Sequence, residues 1–516
     1  MLIAGASTAA FVLLVFCFVL ASRHSFGSNS DDATLVLQGQ SMSSGHLTLP
    51  GWDLSYDSFW TVDVLFYAVG VRILGVTPLL LNLVPAIIAA LLVVVAILVT
   101  RQGKGDRGFV AGAIVIVALL ALPGPALAYF LLQGGWHAAT TLWCLLIFAG
   151  VSKSSGRWQL VGATALVAAG LLGDLLTLTL VVAPLLLAGA VAARRERSWR
   201  ACSRHLVAAI GGGVLALVVR GLALVVGTFA IGSRSILATG TQLHSNLTAI
   251  PRQLAGLFGV TGFVGGTATT SLALRIAHGL LFALVLAAVG MAFIHIARSL
   301  FSRRRLQVEA TEWSNLDDLL AIAFVCDLVA YTLFSTFTYV DFARYLLPGL
   351  VFISVLAARM TGRIVRRGIL VNRVGLAVLG VVVLAACATD FLANSMGPQA
   401  HQEARALSAF LLSKNLHAGV GDYWSSSIVT VDSDDAVAIR PVDLSPASGT
   451  LTRYTLQSAA SWYAGTTFQF FVYDTANVWH NVTAPAAEKT FGPPSQIYDV
   501  GTYRVLVYSS GIHVAP

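Results

Sequence analysis

Residues 73–100 decide the kind of fold, and they read ILGVTPLLLNLVPAIIAALLVVVAILVT. No Asp, Glu, Lys or Arg occurs anywhere in this stretch. An α-helix needs about 20 apolar residues to cross the roughly 30 Å hydrocarbon core of a bilayer. Basic residues follow directly, at Arg101, Lys104 and Arg107. A long uncharged run with a basic flank predicts a transmembrane helix.

Ten further apolar runs lie on either side of this stretch, so the sequence predicts eleven spans. The first is interpreted as a retained helix and not as a signal peptide, because no charged segment precedes it and no small-residue cleavage site follows. The runs at 138–151 and 160–172 are short for full crossings. The predicted spans are 2–21, 73–100, 109–132, 138–151, 160–172, 175–193, 206–230, 272–297, 316–335, 346–360 and 374–390.

The composition agrees with an all-α polytopic membrane domain. Of 516 residues, 57% are hydrophobic and 11% are charged, and the mean hydropathy is +0.79. A soluble globular protein carries about a quarter charged residues, so a water-facing fold is excluded. The net charge of +8 comes largely from short loops between spans, which indicates membrane topology and no nucleic-acid partner. The five cysteines show no CxxC or metal-type spacing.

The loops between predicted spans alternate between basic and poorly basic. One side carries nineteen Lys and Arg residues, and the other carries about six, counting Arg72 and Arg275 at helix ends. The positive-inside rule places the basic side in the cytoplasm. The N-terminus is then inside, and the loops 22–67 and 231–271 and the whole C-terminus are outside. With only four lysines and many Ala, Val, Arg and Gly residues, the composition is typical of bacteria and predicts a multi-pass inner (plasma) membrane protein.

The first outer loop concentrates acidic and aromatic residues. Five carboxylates occur within about 33 residues, without a lysine: Asp31, Asp32, Asp53, Asp57 and Asp63. Trp52, Tyr56, Phe59, Trp60, Phe66 and Tyr67 are interleaved with them. Rings stack on the apolar faces of sugars, and carboxylates accept hydrogen bonds from hydroxyl groups, so this mixture suits a sugar site. It also suits an interfacial helix whose Trp and Tyr anchor the protein in the membrane surface.

Further ionisable residues lie in or beside the spans. Asp174 is in a short outer turn, where it could reach the Asp31–Asp32 pair, and Arg220 and Asp327 could pair with each other inside the membrane. Arg344 precedes a predicted span on the outer side. A guanidinium at a helix N-terminus suits a phosphate group. The alternative is an interfacial arginine that contacts lipid headgroups.

After residue 390 the composition changes, and residues 391–516 are predicted to form a small α/β domain outside the cytoplasm. Residues 397–417 suggest an amphipathic helix. Strand-like runs follow at 427–431, 436–442, 468–473 and 503–508. The Gly421-Asp422-Tyr423-Trp424 segment, together with Trp462, Tyr463, Trp479 and His480, is a weaker candidate for ligand contact.

In layout, the chain resembles the GT-C superfamily of membrane glycosyltransferases, which includes protein O-mannosyltransferases, aminoarabinose transferases and actinobacterial arabinosyl- and mannosyltransferases. The resemblance covers a first span, a long outer loop that opens with Asp31-Asp32, a multi-helix core and an outer C-terminal domain. Arg344-Tyr345-Leu346-Leu347-Pro348 near the last spans is the second local match.

The resemblance implies sugar transfer from a polyprenyl-phosphate carrier to a glycan, lipid or protein acceptor of the cell envelope. Asp31 or Asp32 would be the catalytic base, and Arg344 would hold the carrier phosphate. The further substrate-binding candidates are Asp174, Asp53, Asp57, Trp52 and Tyr345. Some relatives use a divalent metal, but the sequence contains no HExxH or clustered-histidine pattern, and the cofactor is left open.

Two other functions fit the same topology. A transporter or flippase of lipid-linked sugars often has inverted repeats and broken helices at the midplane. No internal repeat is detectable here, and the acidic pair is predicted at the surface. A non-catalytic protein that binds glycan or scaffolds envelope enzymes would have the same sequence features.

Overall fold

The computed structural model is mostly helical and carries β-structure near its C-terminal end. It describes residues 2–25, 29–101, 106–152, 156–232, 237–260, 272–301, 313–334, 340–367, 373–395 and 403–515. Long apolar runs become helices because a helix satisfies its own backbone hydrogen bonds where no water is available.

Eighteen α-helices occur in the described residues. The first nine are α1 (Leu2–Ser25), α2 (Ser30–Ser43), α3 (Asp63–Leu74), α4 (Leu80–Val99), α5 (Asp106–Ile116), α6 (Pro125–Leu131), α7 (Ala138–Ser152), α8 (Arg157–Gly173) and α9 (Ala183–Glu196). The others are α10 (Ser203–Val226), α11 (Gly240–Leu257), α12 (Leu272–Phe301), α13 (Asn315–Leu333), α14 (Leu347–Arg366), α15 (Arg373–Ser395), α16 (Glu403–Ser413), α17 (Ser427–Asp432) and α18 (Ala484–Phe491).

Every predicted span falls on helical structure, but the number of eleven is not confirmed. Within the described residues, five helical segments are long and apolar enough to cross a membrane, or six when one bent pair counts as a single span. Leu217, Leu224 and Val225 on α10 are all more than 60% exposed. Apolar side chains in such an exposed row suit contact with lipid. The five segments are Leu80–Val99, Leu178–Glu196, Trp199–Val226, Leu274–Leu300 and Ala343–Arg366.

Two predicted spans are interrupted. The stretch 73–100 is not one helix, because α3 ends at Leu74 and Gly75 adopts a positive φ of 76° before Pro78 and α4. The stretch 109–132 bends by 83° between α5, which continues as a π-helix, and α6. Pro123, Gly124 and Pro125 cause this break, since proline lacks the donor that a continuous helix requires.

Nine strands in the described part of the chain form two sheets. They are β1 (Trp52–Leu54), β2 (Ala230–Ile231), β3 (Ala418–Gly421), β4 (Ala438–Leu444), β5 (Leu451–Arg453), β6 (Ser458–Ala459), β7 (Phe468–Asp474), β8 (Gln496–Val500) and β9 (Tyr503–Ile512). Six of them pair in the order β5-β4-β3-β7-β9-β8, with β3 parallel to both neighbours. The predicted strands 436–442, 468–473 and 503–508 are confirmed as β4, β7 and β9.

The predicted strand 427–431 is wrong, because these residues form α17. The run Ile428-Val429-Thr430-Val431 is rich in β-branched residues, which favour strands. The backbone nevertheless turns, with Thr430 N–H donating to the Ser426 carbonyl at 3.1 Å. Buried Ile428 and Val429 belong to a hydrophobic cluster shared with α2. Tertiary packing therefore outweighs the local preference.

The small sheet β2-β1-β6 joins three distant parts of the chain. Asp53 of β1 is in register with Ala230 of β2, and Trp52 is in register with Ala459 of β6. The loop between α2 and α3 is thereby connected to the residues after α10 and to the C-terminal segment. This connection brings the C-terminal residues over the start of α2.

The proposed Arg220–Asp327 pair is wrong. Arg220 donates to the Phe229 carbonyl at 3.1 Å, and its guanidinium lies over the Phe229 ring. Asp327 accepts from the Gly349 backbone N–H at 3.0 Å. Each group therefore hydrogen-bonds to nearby backbone, although the second carboxyl oxygen of Asp327 has no hydrogen-bond partner among the described residues.

Candidate functional site

A cavity of about 300 Å³ lies where five chain segments converge. The start of α2, the residues before α3, the α6–α7 connection, the turn before α14 and the C-terminal segment each contribute to its wall. Its lining is Asp31, Leu35, Ser55, Asp57, Phe59, Gly134, Gly135, Trp136, His137, Arg344, Tyr345, Tyr423, Trp424, Tyr454, Leu456, Gln457, Trp479 and His480. Four of the eight residues predicted from sequence are among them.

Asp31 and Asp32 point in different directions from helix α2. The Asn29 side chain caps α2 by accepting from the backbone N–H groups of Asp31 and Asp32, at 2.9 and 3.1 Å. Successive residues of a helix point about 100° apart. Asp31 therefore lines the cavity and accepts a hydrogen bond from the Tyr423 hydroxyl, whereas Asp32 is buried behind it. Burial, and next the charge of Asp31, raise the pKa of Asp32 well above its usual value.

Arg344 lies on a 3₁₀ turn, Val340–Leu346, that leads directly into α14. Its guanidinium carbon is 5.4 Å from the centre of the Trp136 ring and 5.1 Å from that of Tyr345. Cation–π contacts of this kind hold a guanidinium in a defined orientation. Arg344 therefore lies just before the N-terminus of α14, as predicted, and it also lines the cavity.

Asp174 does not line the cavity but supports a residue that does. It is fully buried, and its carboxylate lies 2.8 Å from His137 Nδ1 while accepting from Thr140 Oγ1 and from the Leu176 N–H. Burial alone would raise the pKa of Asp174, but the neighbouring His137 lowers it. Burial would likewise lower the pKa of His137, but Asp174 raises it. An imidazolium–carboxylate pair is thus the favoured state.

Asp57 lines the cavity on the same side as this pair. Burial, and then the charge of Asp174, raise the pKa of Asp57 to about 6. His137 and Arg344 act in the opposite direction. A carboxyl group with this pKa changes its charge close to neutral pH, which is unusual for aspartate.

Two residues around Asp57 have strained backbones. Phe59 and His137 have φ values of 53° and 67°, a region that non-glycine residues rarely adopt. Their rings contact each other at an interplanar angle of 55°, with centroids 5.6 Å apart. Strain of this kind concentrates at functional sites. The Gly134-Gly135 pair before Trp136 and His137 allows the tight connection, with Gly135 at a φ of 67°.

Asp53 and Trp52 lie outside the lining. Both belong to β1, where Asp53 forms a salt bridge with Arg453 at 2.7 Å. Trp52 is buried and packs edge-on against Trp462, with ring centroids 4.9 Å apart. The structure brings these two residues to the contact between the first loop and the C-terminal segment, separate from Asp31, Asp57, Arg344 and Tyr345.

Aromatic residues of the C-terminal segment form one wall of the cavity. Tyr423, Tyr454 and Trp479 contact one another, with ring centroids 5.1 to 5.9 Å apart, and Trp479 stacks on His480 at 3.8 Å. The sequence offered only a weak signal for this wall. Trp136 and His137 were missed, although a Gly-Gly-Trp-His connection between two predicted spans is a detectable signal.

In the part of the chain that the structure describes, no group of three or more His, Cys, Asp and Glu side chains is arranged to hold a metal ion.

The chain is similar to several solved structures. One of them is an oligosaccharyltransferase from Archaeoglobus fulgidus, whose crystal structure contains zinc and sulfate and to which the chain is similar over 96% of its length. The match covers 73% of that chain, with 13% sequence identity and a TM-score of 0.48. A likeness this distant assigns no activity. No family model and no curated protein matches the sequence.

The cavity combines three chemical capacities. A carboxylate at Asp31 can accept a proton from a hydroxyl group. A guanidinium at Arg344 can bind an anion such as phosphate. The aromatic wall can stack against the apolar faces of sugar rings.

Proposed function

We propose that this protein is a membrane glycosyltransferase of the GT-C type, which moves a sugar from a polyprenyl-phosphate carrier to a cell-envelope acceptor. The observation that carries the proposal is that Asp31 and Arg344, far apart in sequence, line one cavity with an aromatic wall. The resemblance in layout supports the same class of reaction.

In the proposed reaction, the acceptor hydroxyl loses its proton to the Asp31 carboxylate as its oxygen attacks the anomeric carbon. The bond between that carbon and the phosphate oxygen breaks, and its electron pair remains on the carrier phosphate. The Arg344 guanidinium stabilises the negative charge that develops there. Asp31 is preferred to Asp32 as the base because only Asp31 lines the cavity. Tyr345 and Asp57 would contact substrate, and Asp174 would orient His137.

The proposal includes the topology and domain division inferred from sequence. Residues 1–390 would form the transmembrane domain with eleven spans in the inner membrane, and residues 391–516 would form the extracytoplasmic domain. The cavity is lined both by loops assigned to the outer side and by the C-terminal segment. The carrier lipid would thus present its phosphate at the outer surface while its tail remains in the bilayer.

The test is sugar transfer in membranes that contain the full chain, with a panel of polyprenyl-phosphate-linked sugars. Asp31→Asn keeps the shape of the side chain but removes its basicity, so turnover should fall by about 10²- to 10⁴-fold. Asp32→Asn should retain most of the activity, because Asp32 does not reach the cavity. Asp499→Asn, which breaks an exposed pair with Arg504, is the matched surface control.

Two results would contradict the proposal. Equal activity of the wild type and Asp31→Asn, at equal protein levels, would remove the assignment of the base. Movement of labelled carrier across vesicles without transfer of its sugar would favour the flippase function instead.

A further inference from the structure

Arg344 shares its cavity with two carboxylates. Both Asp31 and Asp57 interact electrostatically with its guanidinium and favour its charged form. The other cation on this side, His137, is held by Asp174 at 2.8 Å. A phosphate that binds at Arg344 therefore meets a guanidinium whose charge is already offset, and it adds a further negative charge beside these carboxylates.

Asp57 lines the same cavity as Arg344 and interacts electrostatically with several charged groups. Asp174 is the strongest of these, and His137, Arg344 and Tyr345 interact with it as well. Asp31, which also lines the cavity, accepts a hydrogen bond from the Tyr423 hydroxyl. Asp63 is turned toward the Gly135 N–H, 3.4 Å away. Because the pKa of this cavity-lining carboxyl group is raised to about 6, protonation of Asp57 near neutral pH is accessible.

We propose that binding of the carrier phosphate in the cavity is coupled to uptake of a proton, and that Asp57 is the group that takes it up. The inference rests on the proposed function, since it concerns the phosphate of the donor. An anion at Arg344 disfavours a second negative charge beside it, so the Asp57 carboxylate gains a proton from solution. The neutral carboxyl group no longer competes for Arg344, and its O–H can donate to a phosphate oxygen.

The His137–Asp174 pair sets the conditions for this uptake. Because the imidazolium keeps Asp174 ionised, a full negative charge remains next to Asp57 and favours its protonation. Thr140 and the Leu176 N–H fix the orientation of Asp174. His137 and Asp174 are therefore positioning residues, and Asp57 is the group that exchanges the proton.

Proton uptake also offsets the charge that the reaction creates. Transfer converts a phosphodiester with one negative charge into a phosphomonoester that can carry two. The proton of the acceptor hydroxyl moves to Asp31, and the proton on Asp57 compensates the additional phosphate charge. Both carboxyl groups release their protons to water when the products leave, which restores the starting state.

The test uses the purified full chain in detergent and farnesyl methyl phosphodiester as the probe. This diester keeps one negative charge across the range used, so any proton taken up belongs to the protein. Titration calorimetry in two buffers of different ionisation enthalpy measures the uptake. If binding raises the pKa of Asp57 by one unit, affinity should be about fivefold weaker at pH 8 than at pH 6.

Asp57→Asn should bind the diester about ninefold more tightly than the wild type at pH 8, with no pH dependence and no proton uptake. Asp174→Asn is a second variant, which should move the uptake to lower pH because it removes the nearest negative charge. Asp499→Asn, on the exposed edge of the large sheet, should match the wild type.

Binding without proton uptake in the wild type would overturn the inference and leave the proposed function intact. The same holds if Asp57→Asn keeps the pH dependence of the wild type. If the wild type, Asp57→Asn and Arg344→Gln all fail to bind the diester, the cavity is not a phosphate site. That result would contradict both the proposed function and the proton uptake.

Discussion

Asp31 and Asp32 are neighbours in sequence but lie in opposite environments. Asp31 is a cavity residue with a hydroxyl partner, whereas Asp32 is 1% exposed and one of its carboxyl oxygens has no hydrogen-bond partner among the described residues. A buried carboxyl without compensation favours its neutral form. Substitutions of Asp31 and Asp32 should therefore have different effects.

Asp32→Asn should increase stability at alkaline pH. Because folding raises the pKa of Asp32, the native state holds a proton that the unfolded state has already lost above about pH 4. The wild-type free energy of unfolding should then decrease as pH rises, until the native carboxyl itself ionises. The asparagine side chain does not titrate, so at this position it adds no pH dependence to the free energy of unfolding.

Thermal unfolding of the two proteins in detergent at pH 5 and pH 8 measures this difference. The advantage of Asp32→Asn should be larger at pH 8. A variant that is destabilised equally at both pH values would indicate that the carboxylate makes a favourable charged interaction.

Arg344→Lys should weaken donor use without abolishing it. Lysine keeps the charge but loses the planar fork that binds phosphate with two parallel hydrogen bonds. Loss of one charge-assisted hydrogen bond, about 1.5 kcal/mol, corresponds to about a tenfold increase in donor KM. Arg344→Gln, which also removes the charge, should have a larger effect. An unchanged donor KM in both variants would mean that Arg344 does not contact the carrier phosphate.

At the scale of elements, the cavity depends on the close packing of α2 against α3. At Gly39 of α2, a Cβ atom would lie 2.7 Å from the carbonyl carbon of Tyr67 and 2.9 Å from the Ala68 nitrogen. Both contacts are with backbone atoms of α3. Backbone atoms cannot move out of the way by a rotamer change, as a flexible side chain can. Glycine is therefore required where the two helices meet.

Gly39→Ala should destabilise the protein by about 1–3 kcal/mol through overpacking, and it should reduce sugar transfer because α2 carries Asp31. Gly162→Ala on α8 is the matched control, since a Cβ atom there would meet nothing within 4 Å. That control should be neutral or stabilising by about 0.5–1 kcal/mol. Equal unfolding temperatures for the two variants would disprove the close packing at Gly39.

At the scale of the whole molecule, the sidedness of the chain determines where the reaction takes place. Reporter fusions after Arg200, Arg305 and Arg373 should report the cytoplasm, and a fusion after Pro516 should report the exterior. The reason is the nineteen-to-six distribution of basic residues between the two sets of loops. A cytoplasmic C-terminus would contradict both the topology and an outer active site.

The sequence by itself determined where the long apolar helices form, because uncharged apolar runs leave a membrane-embedded backbone no other way to satisfy its hydrogen bonds. It also pointed to Asp31, Asp57, Arg344 and Tyr345, since charged and polar-tipped residues stand out in a chain with so few charges. Strands β4, β7 and β9 were predictable from their apolar, β-branched and aromatic residues.

Only the tertiary structure decided which of these residues meet. The helical geometry of α2 separates Asp31 from Asp32, and pairing of β1 with β6 draws Asp53 and Trp52 away from the cavity. His137 joins the site through a bond to Asp174, 37 positions later in the chain, and Tyr423 joins through Asp31, 392 positions earlier. Contacts across such distances leave no periodic signal in sequence, because they arise from packing of whole elements and not from local conformational preference.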